Sequence, residues 1–214
     1  MSIPIRAESG KGKMPPHNFA GVKPVILQRL KEETNELHHK LQDNSSFQGV
    51  GSPPISREQY TNLLKKFFGF YSAVEEKFTE VKELDSAQFD FDKRKKTSLI
   101  EKDLRNLGIS EAEIKTLSIC NELPELNTFG KALGCLYVLE GSTLGGQILS
   151  RNLATVGLGK DNGANFINCY GNEVGAMWKS FGEFLVTNSS KDNQEEIIKA
   201  AKETFSTLDK WLSS

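Results

Sequence analysis

The stretch that most constrains this chain is residues 129–157, FGKALGCLYVLEGSTLGGQILSRNLATVG, where apolar side chains recur at the spacing of an α-helix and Thr128 is placed to cap its start. Five glycines interrupt that pattern: Gly130, Gly134, Gly141, Gly145 and Gly146. Each interior glycine costs about 1 kcal/mol relative to alanine, so something must offset the loss. Either the helix crosses tightly against a neighbour, or a ligand approaches its backbone. The last three glycines flank Ser142 and Thr143, which favours a flat ligand across a polar spot.

The bulk properties exclude several classes of partner. A chain of 214 residues suits one domain with a sizeable core. Its net charge of -1 and pI near 6.3 provide no field for nucleic acid or a membrane surface. Three cysteines without CxxC spacing predict reduced core thiols: Cys120, Cys135 and Cys169. With neither a signal-peptide pattern nor a long apolar run, we expect a cytoplasmic protein without a membrane partner.

Helical periodicity dominates the rest of the chain. Residues 1–20 lack a hydrophobic pattern and are expected to be a mobile arm, and residues 21–214 are expected to be one helical domain. No convincing period-two segment is present, so the predicted fold is all-α with about seven or eight helices. Residues 93–96, KRKK, are predicted to be a solvated charged surface.

One histidine is the strongest candidate for chemistry. In the predicted helix PVILQRLKEETNELHHKLQ, five side chains fall within about 80° of one another at about 100° per residue. They are Leu27, Leu30, Thr34, Leu37 and Leu41. His38 lies at the edge of this apolar stripe, whereas His39 points almost the opposite way and is expected to be solvated. Lys31, two turns earlier, lies within about 20° of His38 around the helix. A histidine at this position is either a core residue whose hydrogen bonds are satisfied or a metal ligand.

Other metal and enzyme signatures are missing from the sequence. It contains no GxSxG, Walker, HExxH or dinucleotide motif, and no repeated ExxH pair. The only histidines are His17, His38 and His39, which is too few for a typical multi-histidine site. A single inward histidine facing a glycine-bearing helix is instead an arrangement that could hold a haem through one axial imidazole.

Two sequence motifs resemble those of one protein family. LKEETNELHHKL, residues 30–41, resembles the proximal-helix motif LKxxTxxxH of the heme oxygenases, with Thr34 inside the motif and His38 at the iron-binding position. LYVLEGSTLGGQ, residues 136–147, resembles the distal helix of the bacterial branch, which includes phytochrome-associated enzymes. The similarity continues through TFxxLxxWL at residues 204–212.

The resemblance implies a heme-oxygenase-like helical bundle in which haem is both cofactor and substrate. Its expected reaction opens haem with O2 and reducing equivalents to biliverdin, CO and ferrous iron. His38 would bind the iron, and Gly141, Gly145 and Gly146 would let the distal backbone approach bound O2. Ser142 stands where mammalian-type members carry an aspartate, so water, Ser142 or backbone groups would deliver protons.

The resemblance also assigns binding residues and partners. Lys31 matches a lysine that contacts one haem propionate, Lys179 lies near a basic position for the other, and Phe205 matches a haem-facing aromatic. Surface solvation or core packing also explains these three, and Thr34 joins them as a cofactor contact. The electron donor would be a ferredoxin, flavodoxin or flavin reductase, and a monomer is expected. Two alternatives stay open: a non-catalytic haem carrier or sensor of this fold, and a helical domain without haem, such as a thiamin-related hydrolase.

Overall fold

The computed structural model describes residues 25–52, 54–85 and 89–214. Within these ranges the chain forms seven α-helices and no β-strand, which confirms the predicted all-α fold. In chain order they are α1 (Val25–Gln42), α2 (Arg57–Phe78), α3 (Thr97–Asn106), α4 (Glu111–Ile114), α5 (Phe129–Ala154), α6 (Val174–Thr187) and α7 (Gln194–Ser213). The expected arm, residues 1–20, and the first residues of the helical domain lie outside the described residues.

Local capping chemistry sets several helix starts. Thr128, Ser56 and Ser110 each accept the backbone N–H three residues further on, at the beginning of α5, α2 and α4. α3 has no side-chain cap of its own. Instead, Glu75 of α2 accepts the backbone N–H groups of the residues that open α3, at 2.5 and 3.2 Å. The first three starts follow from local sequence, whereas the start of α3 depends on a neighbouring helix.

α7 is the helix on which α1, α2 and α5 all pack. Along α1 this contact is polar at its edge, where Lys202 of α7 pairs with Glu33 at 2.7 Å and Asp209 pairs with Lys40 at 2.7 Å. The contact of α7 with α5 is closer than its contact with α1. A Cβ at Gly134 would overlap the carbonyl oxygen of Ile197 and come within 2.8 Å of the Cβ of Ala200. Gly134 therefore serves a tight helix crossing.

The charged run at residues 93–96 is only partly the solvated surface that its composition predicts. Lys93 and Lys95 are exposed. The side chains of Arg94 and Lys96 are 4% and 2% exposed, because both reach inward to the carboxylate of Glu140 on α5. The prediction of a solvated run is wrong at these two positions.

The three cysteines are free thiols, as predicted, with Cys120 and Cys135 buried and Cys169 half-buried. Burial raises the pKa of Cys135 to about 12, so this thiol stays protonated. No helix in the described part of the chain has both the length and the apolar composition to cross a membrane.

Candidate active site

His38 lies on α1 where the apolar stripe meets a more open surface. Leu30 and Thr34 are buried on the same helix, and the hydroxyl of Thr34 donates to the carbonyl of Leu30 at 2.7 Å. One turn later His38 is half-buried, and its ring lies edge-on to Phe205 of α7, with centroids 6.0 Å apart and planes at 83°. His39 is exposed, as the helical angles predict. The structure thus brings together His38 and Phe205, two of the predicted site residues.

The surroundings of His38 keep its imidazole neutral. Burial, and then the neighbouring His39, lower its pKa below the ordinary value of 6.5. Among the described residues, neither ring nitrogen of His38 has a hydrogen-bond partner. The neutral ring is the form that binds a metal, and one nitrogen lone pair is available for it.

The glycines of α5 divide into two groups. A Cβ at Gly145 would meet no atom within 4 Å, and one at Gly141 would meet only the ring of Trp178, at 3.8 Å. A Cβ at Gly146 would come 2.6 Å from the carbonyl oxygen of Ile167. Gly145 therefore faces open space and Gly141 lies in contact with the Trp178 ring, whereas Gly146 packs against the loop before α6. Close packing explains Gly146, whereas the space at Gly145 leaves room for a ligand, whose approach there stays a prediction.

The proximal and distal helices meet one turn before the site. Thr34 of α1 faces the hydroxyl of Tyr137 of α5. Residues four apart share a helix face, so His38 and Gly141 each lie one turn beyond this contact on the same faces. Both helices pack on α7. His38 and Gly141 thus share helix faces with the two residues of the Thr34–Tyr137 contact.

A hydroxyl pair lies next to the open glycines. The oxygens of Tyr71 and Ser142 are 3.2 Å apart, and Ser142 donates its own proton to the carbonyl of Leu139 at 2.7 Å. Tyr71 is therefore the donor to Ser142. Tyr71 is 2% exposed, and burial raises its pKa, so its hydroxyl stays protonated.

Sequence reasoning does not single out Tyr71, which lies on α2 among the buried residues of that helix. The spacing of α2 alone contains no signal for its role, because Ser142 is distant in sequence. Only the packing of α2 beside α5 brings the two hydroxyls together.

The two candidate lysines differ in their surroundings. Lys179 on α6 is exposed and lies 3.7 Å from Glu183, a loose surface pair. Lys31 on α1 is exposed and forms no ion pair with the described residues. An anion on the His38 side of α1 could therefore recruit Lys31 without breaking an existing contact, whereas Lys179 would have to leave its carboxylate.

Fold and site together define a class: an all-α protein with a neutral, half-buried imidazole on one helix and a glycine-rich helix whose backbone is uncovered at Gly145. The sequence comparison is more specific, since a family model described as Heme oxygenase matches residues 25–214. The chain belongs to the heme oxygenase family. A search of curated proteins found no match.

Solved structures agree with this assignment. The heme oxygenase of Neisseria meningitidis, determined in NO- and CO-bound forms, is 26% identical, with a TM-score of 0.72 over 87% of this chain and 89% of that chain. The Leptospira interrogans heme oxygenase is 16% identical, with a TM-score of 0.69 over 88% of this chain and 98% of that one. The heme oxygenase-1 of the cyanobacterium Synechocystis, in complex with heme, is 19% identical, with a TM-score of 0.67 over 89% and 91%. The last two show the shared fold.

Proposed function

We infer that this protein is a heme oxygenase that opens haem oxidatively to biliverdin, CO and ferrous iron. The family match over residues 25–214 supports a haem-degrading enzyme. The observation that carries the residue assignment is the neutral, half-buried His38 on α1, and the uncovered backbone at Gly145 of α5 supports it. We further propose O2 as the oxidant and an external donor of electrons: a ferredoxin, a flavodoxin or a flavin reductase.

The residues present fit haem. A planar macrocycle needs an imidazole on one face and a shallow, side-chain-free surface on the other, and the open space at Gly145 meets the second need. When bound, haem supplies the iron that activates O2 and is itself the molecule that is cleaved. A Cβ at Gly145 would occupy part of that surface.

On the proximal side, a ring nitrogen of His38 would bind the iron. The edge-on contact with Phe205 restricts rotation of the imidazole, and Thr34 anchors the preceding turn by its bond to Leu30. Lys31 would pair with a propionate on this side. Lys179, which is held only loosely by Glu183, would serve the other propionate.

On the distal side, Tyr71 and Ser142 would hold a proton near the reacting face. The hydroxyl of Tyr71 donates to Ser142 Oγ, and Ser142 donates to the carbonyl of Leu139. A water that donates to the remaining lone pair of Ser142 Oγ would be held at that face, and this water would carry the proton to be delivered. This pair takes the place of the aspartate that mammalian-type members carry at position 142.

A direct assay tests the function. Purified protein is loaded with hemin and supplied with ascorbate, or with a ferredoxin and its reductase, under air. The expected result is loss of the haem spectrum and formation of biliverdin and CO. A stable haem complex with every donor would contradict the proposal and favour the alternative of a carrier or sensor.

Neighbouring histidines provide the residue test. His38→Ala is expected to abolish axial ligation in the haem spectrum and biliverdin formation, whereas His39→Ala, with an exposed side chain, should keep both. Retained histidine ligation in His38→Ala would refute the assignment of this residue.

A further inference from the structure

A buried charge cluster lies directly behind the distal backbone. Glu140, which precedes Gly141, is 1% exposed and accepts hydrogen bonds from three side chains. Arg94 Nη1 lies 2.5 Å from Glu140 Oε2, Lys96 Nζ lies 3.2 Å from Oε1, and the hydroxyl of Tyr170 lies 2.9 Å from Oε1. Lys96 Nζ also donates to the Tyr170 hydroxyl at 2.7 Å and to the Arg94 carbonyl at 2.5 Å.

The cluster joins parts of the chain that are distant in sequence. Arg94 and Lys96 come from the segment before α3, Glu140 from α5 and Tyr170 from the loop before α6. Arg94 also donates to the carbonyl of Met177 on α6 at 3.4 Å, and its guanidinium lies 4.6 Å from the Phe89 ring centroid. The carboxylate of Glu140 is thus the point at which these segments are tied to α5.

Stability alone does not explain this arrangement. Two cations and one carboxylate are removed from water here, and an apolar cluster of similar volume is often at least as stabilising as a buried ionic one. What a hydrogen-bonded charge cluster adds is one defined position, because its donors and acceptors are satisfied in a single geometry.

The turn of α5 that follows Glu140 needs such a restraint. Gly141 and Gly145 have no side chains, and three glycines within six residues make the helix easier to bend. Open space at Gly145 and only the Trp178 ring near Gly141 mean that packing on this face holds the turn weakly. Consecutive helix residues differ by about 100°, so fixing the carboxylate of Glu140 also fixes the rotation of Gly141.

We propose that Glu140, held by Arg94, Lys96 and Tyr170, is a positioning residue that sets the location and rotation of the distal helix at Gly141. Its consequence for haem rests on the proposed function. Its consequence for α5 itself does not, because the cluster is formed by the chain alone.

The first test uses the haem-free protein. In Glu140→Gln, hydrogen exchange of the amides at residues 141–146 is expected to be at least tenfold faster than in the wild type. Ile114→Ala is the control, since it opens a cavity at a buried residue on α4 and lowers stability without touching the cluster. Equal exchange at residues 141–146 in Glu140→Gln and Ile114→Ala would overturn the proposal.

The second test uses the ferrous CO complex. The C–O stretching frequency should shift or split in Glu140→Gln and keep its wild-type value in Ile114→Ala, with histidine ligation retained in both. An unshifted single band in Glu140→Gln would show that the cluster is only structural. Failure of the wild type to form biliverdin would refute the function while leaving the exchange result intact.

A milder variant covers the case in which Glu140→Gln does not fold. Tyr170→Phe removes one hydroxyl and leaves the carboxylate paired with both cations. It is expected to fold and to show the same changes in exchange and C–O frequency in smaller degree. Wild-type behaviour in both measurements would overturn the part assigned to Tyr170.

Discussion

Replacing Gly145 with alanine separates a ligand-facing glycine from a packing glycine. Alanine in a helix interior is favoured over glycine by about 1 kcal/mol. Because a Cβ at Gly145 would meet no atom within 4 Å, nothing in the protein offsets that gain. We expect Gly145→Ala to raise the free energy of unfolding of the haem-free protein by about 1 kcal/mol, an increase in Tm of about 2–4 °C for a chain of this size.

The same methyl group should weaken haem binding. If the macrocycle occupies the open space at Gly145, the added carbon overfills a packed contact at a cost of about 1–3 kcal/mol. That cost corresponds to a Kd that is about 5- to 150-fold higher. Stability and affinity are therefore expected to change in opposite directions, which simple damage to the fold would not produce.

Gly134→Ala is the matched control on the same helix. Its Cβ would overlap the backbone of α7, where neither Ile197 nor Ala200 can move without shifting that helix. The propensity gain of about 1 kcal/mol is then offset by an overpacking cost of about 1–3 kcal/mol, and we expect a net loss of unfolding free energy of up to about 2 kcal/mol.

Urea unfolding of both haem-free variants, followed by hemin titration of the folded proteins, measures the two effects. A loss of stability in Gly145→Ala, or a wild-type haem Kd for that variant, would refute the argument that this glycine is kept for a ligand.

Three further predictions concern titration, proton delivery and charge. Because the pKa of His38 is lowered, protons compete with iron for its ring nitrogen only below pH 6.5. In hemin titrations at a series of pH values, the haem affinity should be constant from pH 7 to 8 and should fall below pH 6.5 by up to about tenfold per pH unit. A decline in affinity that begins near pH 7.5 would contradict this prediction. The free energy of unfolding of the haem-free protein should also fall as the pH drops below 6.5. The reason is that His38 takes up a proton in the unfolded chain that it excludes when folded. Tyr71→Phe removes the donor to Ser142. It should leave the haem Kd unchanged and slow biliverdin formation in single-turnover assays about tenfold or more. An unchanged rate would exclude the hydroxyl pair from proton delivery. Lys31→Gln should weaken haem binding more than Lys179→Gln does, because only Lys179 already has a carboxylate partner. Equal haem Kd values for the two variants in hemin titrations would count against the pairing of Lys31 with a propionate.

Features that depend on neighbours along the chain were predictable. The long helix that begins after Thr128, its cap at that residue, and the place of His38 at the edge of an apolar stripe all follow from periodicity and from hydrogen bonds within one turn. The family motifs then identified which histidine and which helix to consider. The structure confirms the exposed position predicted for His39.

Features that depend on what covers each helix face were not predictable. Local spacing treats Gly134 and Gly145 alike, and only the path of α7 shows that one is a crossing and the other faces open space. Arg94 appears in a charged run that reads as solvated, yet the carboxylate of Glu140, distant in sequence, holds it inside. The contact of Tyr71 with Ser142 likewise joins two helices that are distant in sequence. A helix period determines which residues share a face, whereas the neighbour that meets that face is decided by packing among segments far apart in the chain.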